Sequence, residues 1–347
     1  MDLEARELYE DLKLHLGNLV PDFELYYKAE IAIEIKHLKK ERDAVILGHN
    51  YMEPVLFYAV PDFKGDSLDL SRKAAQTDRS VVVFCGVRFM AETAKILNPT
   101  KTVLLPSEKA GCSLAASITA EDVRALRRQY PGVPVVSYVN TYADVKAESD
   151  ICCTSSNAVA VVESLKSETV IFLPDQYLAT NVAHQTGKHI IFPSLAVSGA
   201  PQDALLDVQI IGWHGKCEVH EKFTVEDILA VRRQFPDVVV LTHPECSPEV
   251  VAASDFSGST NAMIKFVRES LAAHYLVLTE CAMGDNIAAA NPDKDMLRLC
   301  MVRCPHMNTI TMENVRDSLL YNRYVIDVPE PIRTRAYTAV KRMIEIG

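Results

Sequence analysis

Apolar positions along the chain switch between two periods, and the switch recurs three times. Helical spacing of apolar residues marks Ile31–Lys40 and the stretches that begin at Thr119, Thr224 and Thr311. Between them stand short runs apolar at nearly every position: Ala44–Leu47, Val81–Phe84, Val135–Val139, Val170–Leu173, Val238–Leu241 and Tyr275–Leu278. Such runs read as strands covered on both faces, as in a parallel sheet. Strands alternating with helices predict an α/β protein whose crossovers are right-handed.

The repetition extends to individual residues. Cys112, Cys217 and Cys304 are each followed by the pattern Cys-x6-Thr-x-Glu-[Asp/Asn]-[Val/Ile]. The threonine is a natural helix N-cap, and the acidic or amide residue three positions later can complete a capping box. Two of these helices stop at Tyr130-Pro131 and Phe235-Pro236, because proline ends a helix. The strands that follow end in polar residues: Gly48-His49-Asn50-Tyr51, Tyr138-Val139-Asn140-Thr141 and Thr242-His243-Pro244-Glu245. New helices then open at Gly65-Asp66-Ser67, Thr154-Ser155-Ser156-Asn157 and Gly258-Ser259-Thr260. Three similar αβα, Rossmann-like units are expected around a pseudo-threefold axis, with the active site at the centre, where strand carboxyl ends gather ligands. The expected domains are 1–117, 118–223 and 224–310. The stretch 311–347 is expected to return to the first, held there by buried Val315, Leu319 and Val325.

Composition narrows the function. The 347 residues carry a net charge of −10, which argues against nucleic acid as a partner. No apolar run is long enough to span a membrane, and the acidic opening MDLEARELYEDL is unlike a secretory signal. Nine cysteines without such a signal suit a reducing, cytoplasmic compartment, where they act as thiols or metal ligands.

Equivalent positions around an axis converge, so the repeat selects Cys112, Cys217 and Cys304 as ligands. Three thiolates around one axis suit a [4Fe–4S] cubane, one per chain, with its fourth iron open to act as a Lewis acid. Zinc on three cysteines and a water is the inorganic alternative. Cys85, Cys152, Cys153, Cys246, Cys281 and Cys300 are read as small buried hydrophobes. His49, Tyr51, Tyr138, His243 and Glu245 are candidates for proton transfer. Ser67, Ser155, Ser259 and Thr260, at helix starts, can bind carboxylate or phosphate. An iron–sulfur electron carrier or redox sensor is the competing class, but it needs no such polar shell. A nucleotide-binding enzyme lacks its glycine-rich phosphate loop here.

These residues carry a resemblance to the quinolinate synthase family along nearly the whole chain. The motifs are HNY at His49–Tyr51, GDSL at Gly65–Leu68, GVRFMAETAKILNP at Gly86–Pro99 and YVNT at Tyr138–Thr141. CTSSNAV at Cys153–Val159, PD at Pro174–Asp175, HPEC at His243–Cys246, GST at Gly258–Thr260 and the three cysteines complete the set. The resemblance implies condensation of iminoaspartate with dihydroxyacetone phosphate to quinolinate, phosphate and water, feeding NAD synthesis. An aspartate-oxidising enzyme is a further candidate partner, as the source of iminoaspartate. It implies substrate binding by His49, Tyr51, Ser67, Tyr138, Asn140, Ser155, His243, Glu245, Ser259 and Thr260, with Phe89 and Met90 lining the site. The catalytic candidates are Glu245, His243, Tyr51 and Tyr138. Two departures stand out: an apparent insertion around Leu195–Val208, and Ser113 where many members have proline.

Overall fold

The computed structural model describes residues 3–193, 208–297, 299 and 302–347. The first unit opens with helices α1 (Leu3–Leu16) and α2 (Asp22–Glu41). It continues β1 (Ala44–His49), α3 (Pro54–Ala59), β2 (Phe63–Gly65), α4 (Ser67–Gln76), β3 (Val81–Cys85), α5 (Arg88–Leu97) and β4 (Thr102–Leu104). The second runs α6 (Ala120–Gln129), β5 (Val135–Tyr138), α7 (Ala143–Lys146), β6 (Ile151–Cys153), α8 (Ala158–Ser164), β7 (Val170–Leu173), α9 (Gln176–Thr186), β8 (Ile190–Ile191) and β9 (Ile210–Ile211). The third runs α10 (Val225–Gln234), β10 (Val239–Thr242), α11 (Pro248–Ala253), β11 (Phe256–Ser257), α12 (Thr260–Glu269), β12 (His274–Leu278), α13 (Cys281–Ala290) and β13 (Asp295–Leu297). Helices α14 (Met312–Tyr321) and α15 (Glu330–Glu345) follow.

The protein is α/β, with three parallel sheets flanked by helices. Their strand orders are β2-β1-β3-β4, β6-β5-β7-β9-β8 and β11-β10-β12-β13, so the same topology is built three times, with one added edge strand in the second. Every residue of β1, β3, β5 and β7 is buried, as the uninterrupted apolar runs require. The apparent insertion lies between β8 and β9, and all but its last residue falls outside the described residues. Among the described residues, no helix is long and apolar enough to cross a membrane.

All three expected capping boxes are present. Thr119, Thr224 and Thr311 accept from the N–H of Asp122, Asp227 and Asn314, whose side chains accept the threonine N–H in return. The apolar runs do not predict strands β2, β4, β6, β8, β9, β11 and β13. They are two or three residues long and partly exposed at the sheet edge in β2 and β11, too short for a period to show.

After the third cysteine the chain packs α14 against α2 and β3, and buries Val315 and Leu319 completely. Val325 differs from expectation: it is 50% exposed. Its segment is held through the backbone instead, antiparallel to the free edge of β4. Tyr324 and Leu105 exchange hydrogen bonds of 3.1 and 2.9 Å, and Ile326 N–H reaches Val103 O at 2.8 Å. An edge strand offers those unpaired groups whatever the side chain is. Helix α15 lies across both neighbours, against α5 and α4 of the first unit and α7 and β6 of the second.

Candidate active site

Side chains from all three units line one cavity at the strand carboxyl ends. The first unit contributes His49, Tyr51, Ser67, Phe89, Met90 and Cys112; the second Tyr138, Asn140, Ser155 and Cys217; the third His243, Glu245, Thr260 and Cys304. Of the expected residues only Ser259 is not in the lining. It is buried, and its hydroxyl caps α12 by accepting from Ala262 N–H.

The three cysteines sit in loops of one conformation. The first residue of the preceding helix donates to the carbonyl two positions before each cysteine: Arg88 to Ala110 at 2.7 Å, Gln176 to Gly215 at 2.7 Å, Cys281 to Val302 at 3.1 Å. Each cysteine carbonyl then accepts from four residues on, Ala116, Glu221 or Asn308, at 3.0, 3.0 and 3.1 Å. The backbone N–H groups two and three positions on point at each sulfur: Leu114 and Ala115, Val219 and His220, His306 and Met307. The cysteine N–H groups face the Tyr142 hydroxyl, the Asp175 carboxyl and the Glu280 carboxyl in turn. On the outer side the Glu218 carboxylate accepts from Ser113 Oγ at 2.7 Å and lies 3.1 Å from His306 Nε2, so it joins all three loops. Serine in place of proline thus makes a contact between cysteine loops.

Burial pushes the thiols up, Cys112 to about 12, Cys304 to about 11 and Cys217 well above the ordinary value. Three thiols that resist ionisation, each aimed at by two N–H groups, form thiolates readily only beside a cation. They fit a metal centre. Cys217, His220 and Glu245 also bring a sulfur, a ring nitrogen and a carboxylate oxygen within 4.8 Å of one another. His220 Nδ1 and Glu245 Oε2 are already paired at 2.7 Å, however, and that set leaves Cys112 and Cys304 without a role. Cys85, Cys152, Cys153 and Cys246 are completely buried in the core, Cys281 is half-buried, and Cys300 lies outside the described residues.

Beside Cys217 lies a cluster of polar side chains built on buried Glu245, His220 and His243. Glu245 Oε2 lies 2.7 Å from His220 Nδ1, off the ideal hydrogen-bond line, and 3.3 Å from His243 Nδ1; Asn140 Nδ2 donates to Oε1 at 3.3 Å. The two imidazoles stack at 4.6 Å. His243 Nε2 meets Ser155 Oγ at 3.1 Å, and His220 Nε2 meets Thr279 Oγ1 at 2.9 Å, which in turn bonds the Tyr51 hydroxyl. Burial works against a charged Glu245, but the two histidines outweigh it and hold the carboxylate below its usual range. Burial, with the Glu245 charge, pushes Asp175 well up, against the backbone N–H groups of Leu178, Tyr177 and Cys217. Burial, with the Glu245 charge, also raises Tyr51 and Tyr138 well above 10, so both are neutral phenols that can donate.

His220 was missed by sequence reasoning. It follows Cys217 by three, and the equivalent residues after the other cysteines are Ala115 and Met307. The position recurs but its chemistry does not, so the repeat could not flag it. Asp66, Thr154 and Val219 also line the cavity.

Burial lowers His49 to about 4, and its Nδ1 accepts from Tyr51 N–H at 3.2 Å, as a neutral ring can. An unfolded chain protonates this histidine near 6.5. The unfolded state therefore binds the extra proton first, and stability is lost as pH falls from 6.5 toward 4, by roughly 3 kcal/mol from this group. In urea titrations between pH 7 and 4.5, His49→Asn should flatten that decline; an unchanged slope would contradict a buried neutral His49.

The model for the quinolinate synthetase A protein family matches residues 33–345. Quinolinate synthase 2 of Mesorhizobium japonicum is 52% identical over 94% of this chain and 95% of its own length. A quinolinate synthase of Sinorhizobium fredii is 48% identical over 99% of this chain and 89% of its own. One of Xylella fastidiosa is 52% identical over 90% and 86% respectively.

Proposed function

Because the chain belongs to the quinolinate synthetase A family, we propose that it is a quinolinate synthase, condensing iminoaspartate with dihydroxyacetone phosphate to quinolinate, phosphate and two waters in NAD biosynthesis. The observation that carries this reading is the meeting of three repeat-equivalent cysteines with a polar shell from every unit in one cavity. Cys112, Cys217 and Cys304 would hold one [4Fe–4S] cluster per chain. When bound, such a cluster supplies an iron with a free position, able to act as a Lewis acid during dehydration.

The chain's own residues divide the remaining work. Ser67 and Thr260 are the first residues of α4 and α12, and Ser155 lies just before α8, so their hydroxyls and the helix N–H groups suit phosphate or carboxylate. Tyr51 and Tyr138 donate hydrogen bonds as neutral phenols. Ionised Glu245, backed by His243 and His220, takes and returns protons on the phosphate-bearing substrate. Ser155 and His243, and His220 and Thr279, are hydrogen-bonded pairs, and the Glu245 carboxylate lies between the two rings within ion-pair distance of both. A cytoplasmic location, delivery of iminoaspartate by an aspartate-oxidising enzyme, and the domain boundaries 1–117 with 311–347, 118–223 and 224–310 belong to the same reading.

The test is an anaerobic assay of the purified protein. Quinolinate should form when both substrates are present and not when either is omitted. A cluster-loaded protein that forms none, but passes electrons to an acceptor, would favour the electron-carrier class instead.

A further inference from the structure

The register of the sheets aligns the strand ends more finely than the sequence did. Gly48 pairs with Cys85, Ser137 with Leu173 and Thr242 with Leu278, which makes His49, Tyr138 and His243 equivalent. In each unit that residue and the one two positions on line the cavity: His49 and Tyr51, Tyr138 and Asn140, His243 and Glu245. The carbonyls between and beyond them turn away from it. Each pair of carbonyls is taken by a single buried nitrogen. Asn286 Nδ2 donates to Asn50 O at 3.1 Å and Met52 O at 2.9 Å. Asn181 Nδ2 donates to Pro244 O at 2.8 Å and Cys246 O at 3.0 Å. Lys146 Nζ donates to Val139 O at 2.8 Å and to Thr141 O.

Asn181 and Asn286 occupy one position, six residues after the N-cap residues Asp175 and Glu280 of α9 and α13. Each clamps the loop of the next unit, the second onto the third and the third onto the first. In α5 the same position is Thr93, whose hydroxyl bonds Phe89 O at 2.7 Å instead. The loop it would have clamped is held by Lys146 from its own unit. All three clamps are at most 4% exposed, so carbonyls left without them would be buried and unpaired.

We infer that Asn286, Lys146 and Asn181 are positioning residues, one for each strand-end loop, that fix the side-chain pairs His49/Tyr51, Tyr138/Asn140 and His243/Glu245 toward the substrate. The contribution to turnover rests on the function proposed above; the loop geometry does not.

Two readouts on the intact protein separate these. In hydrogen exchange, Asn181→Ala should speed exchange across 243–246 by about tenfold or more and leave 49–52 unchanged, while Asn286→Ala does the reverse. Lys146→Met should act on 138–141; if it fails to fold, the two asparagine variants still decide. In the quinolinate assay, Asn181→Ala should lower kcat through misplaced Glu245, with iron content at the wild-type level. Exchange that rises equally in both loops, or in neither, overturns the inference. Loop-specific exchange with an inactive wild-type protein would uphold the clamps and sink the functional reading.

Discussion

Changing Cys217 to serine should leave a folded protein that holds no iron–sulfur cluster and forms no quinolinate. Cys112→Ser and Cys304→Ser should do the same, because a three-thiolate cradle that loses one sulfur exposes a second iron to loss. The three loops share one backbone conformation, with two N–H groups aimed at each sulfur, so no loop is a spare for another. Cys281→Ser is the control, since Cys281 opens α13 and is not in the cavity lining. Iron, sulfide and visible absorption after anaerobic purification would be compared across the four variants. A Cys217→Ser protein that keeps its full iron content and turns over removes the ligand assignment.

Glu245→Gln should lower kcat by about 10²–10⁴, the span expected when a general acid or base is lost. Its cluster content should match the wild type. The substitution keeps the shape and the Asn140 contact, but it cannot hold a negative charge between His220 and His243. Wild-type turnover by a fully loaded Glu245→Gln protein would assign the proton transfer elsewhere.

How much of this was legible beforehand differs by element. The helices capped by Thr119, Thr224 and Thr311 were readable because a capping box is a local device, written within four residues. The cysteines were readable because their spacing to those caps repeats. Val325 is half-exposed although it stands in an apolar run, because the run adds to a sheet edge through its backbone. Ser259 stands outside the cavity lining, and its hydroxyl accepts from Ala262 N–H as the N-cap of α12. His220 is invisible in the sequence because the repeat breaks its residue identity there, with Ala115 and Met307 at the equivalent positions. Asn181 and Asn286 bond carbonyls more than sixty positions away, and Lys146 bonds two carbonyls of its own loop, which no pattern of side chains along the chain reveals.

Quinolinate formation is expected to depend on a cluster held by Cys112, Cys217 and Cys304. The most direct measurement loads the metal-free protein with increasing iron and sulfide without oxygen, and follows iron, sulfide, zinc and quinolinate formation on the same samples. Turnover should rise in proportion to cluster content and level off at about four irons and four sulfides per chain. Full turnover with zinc alone, or a cluster-loaded protein that makes no quinolinate from iminoaspartate and dihydroxyacetone phosphate, would contradict it.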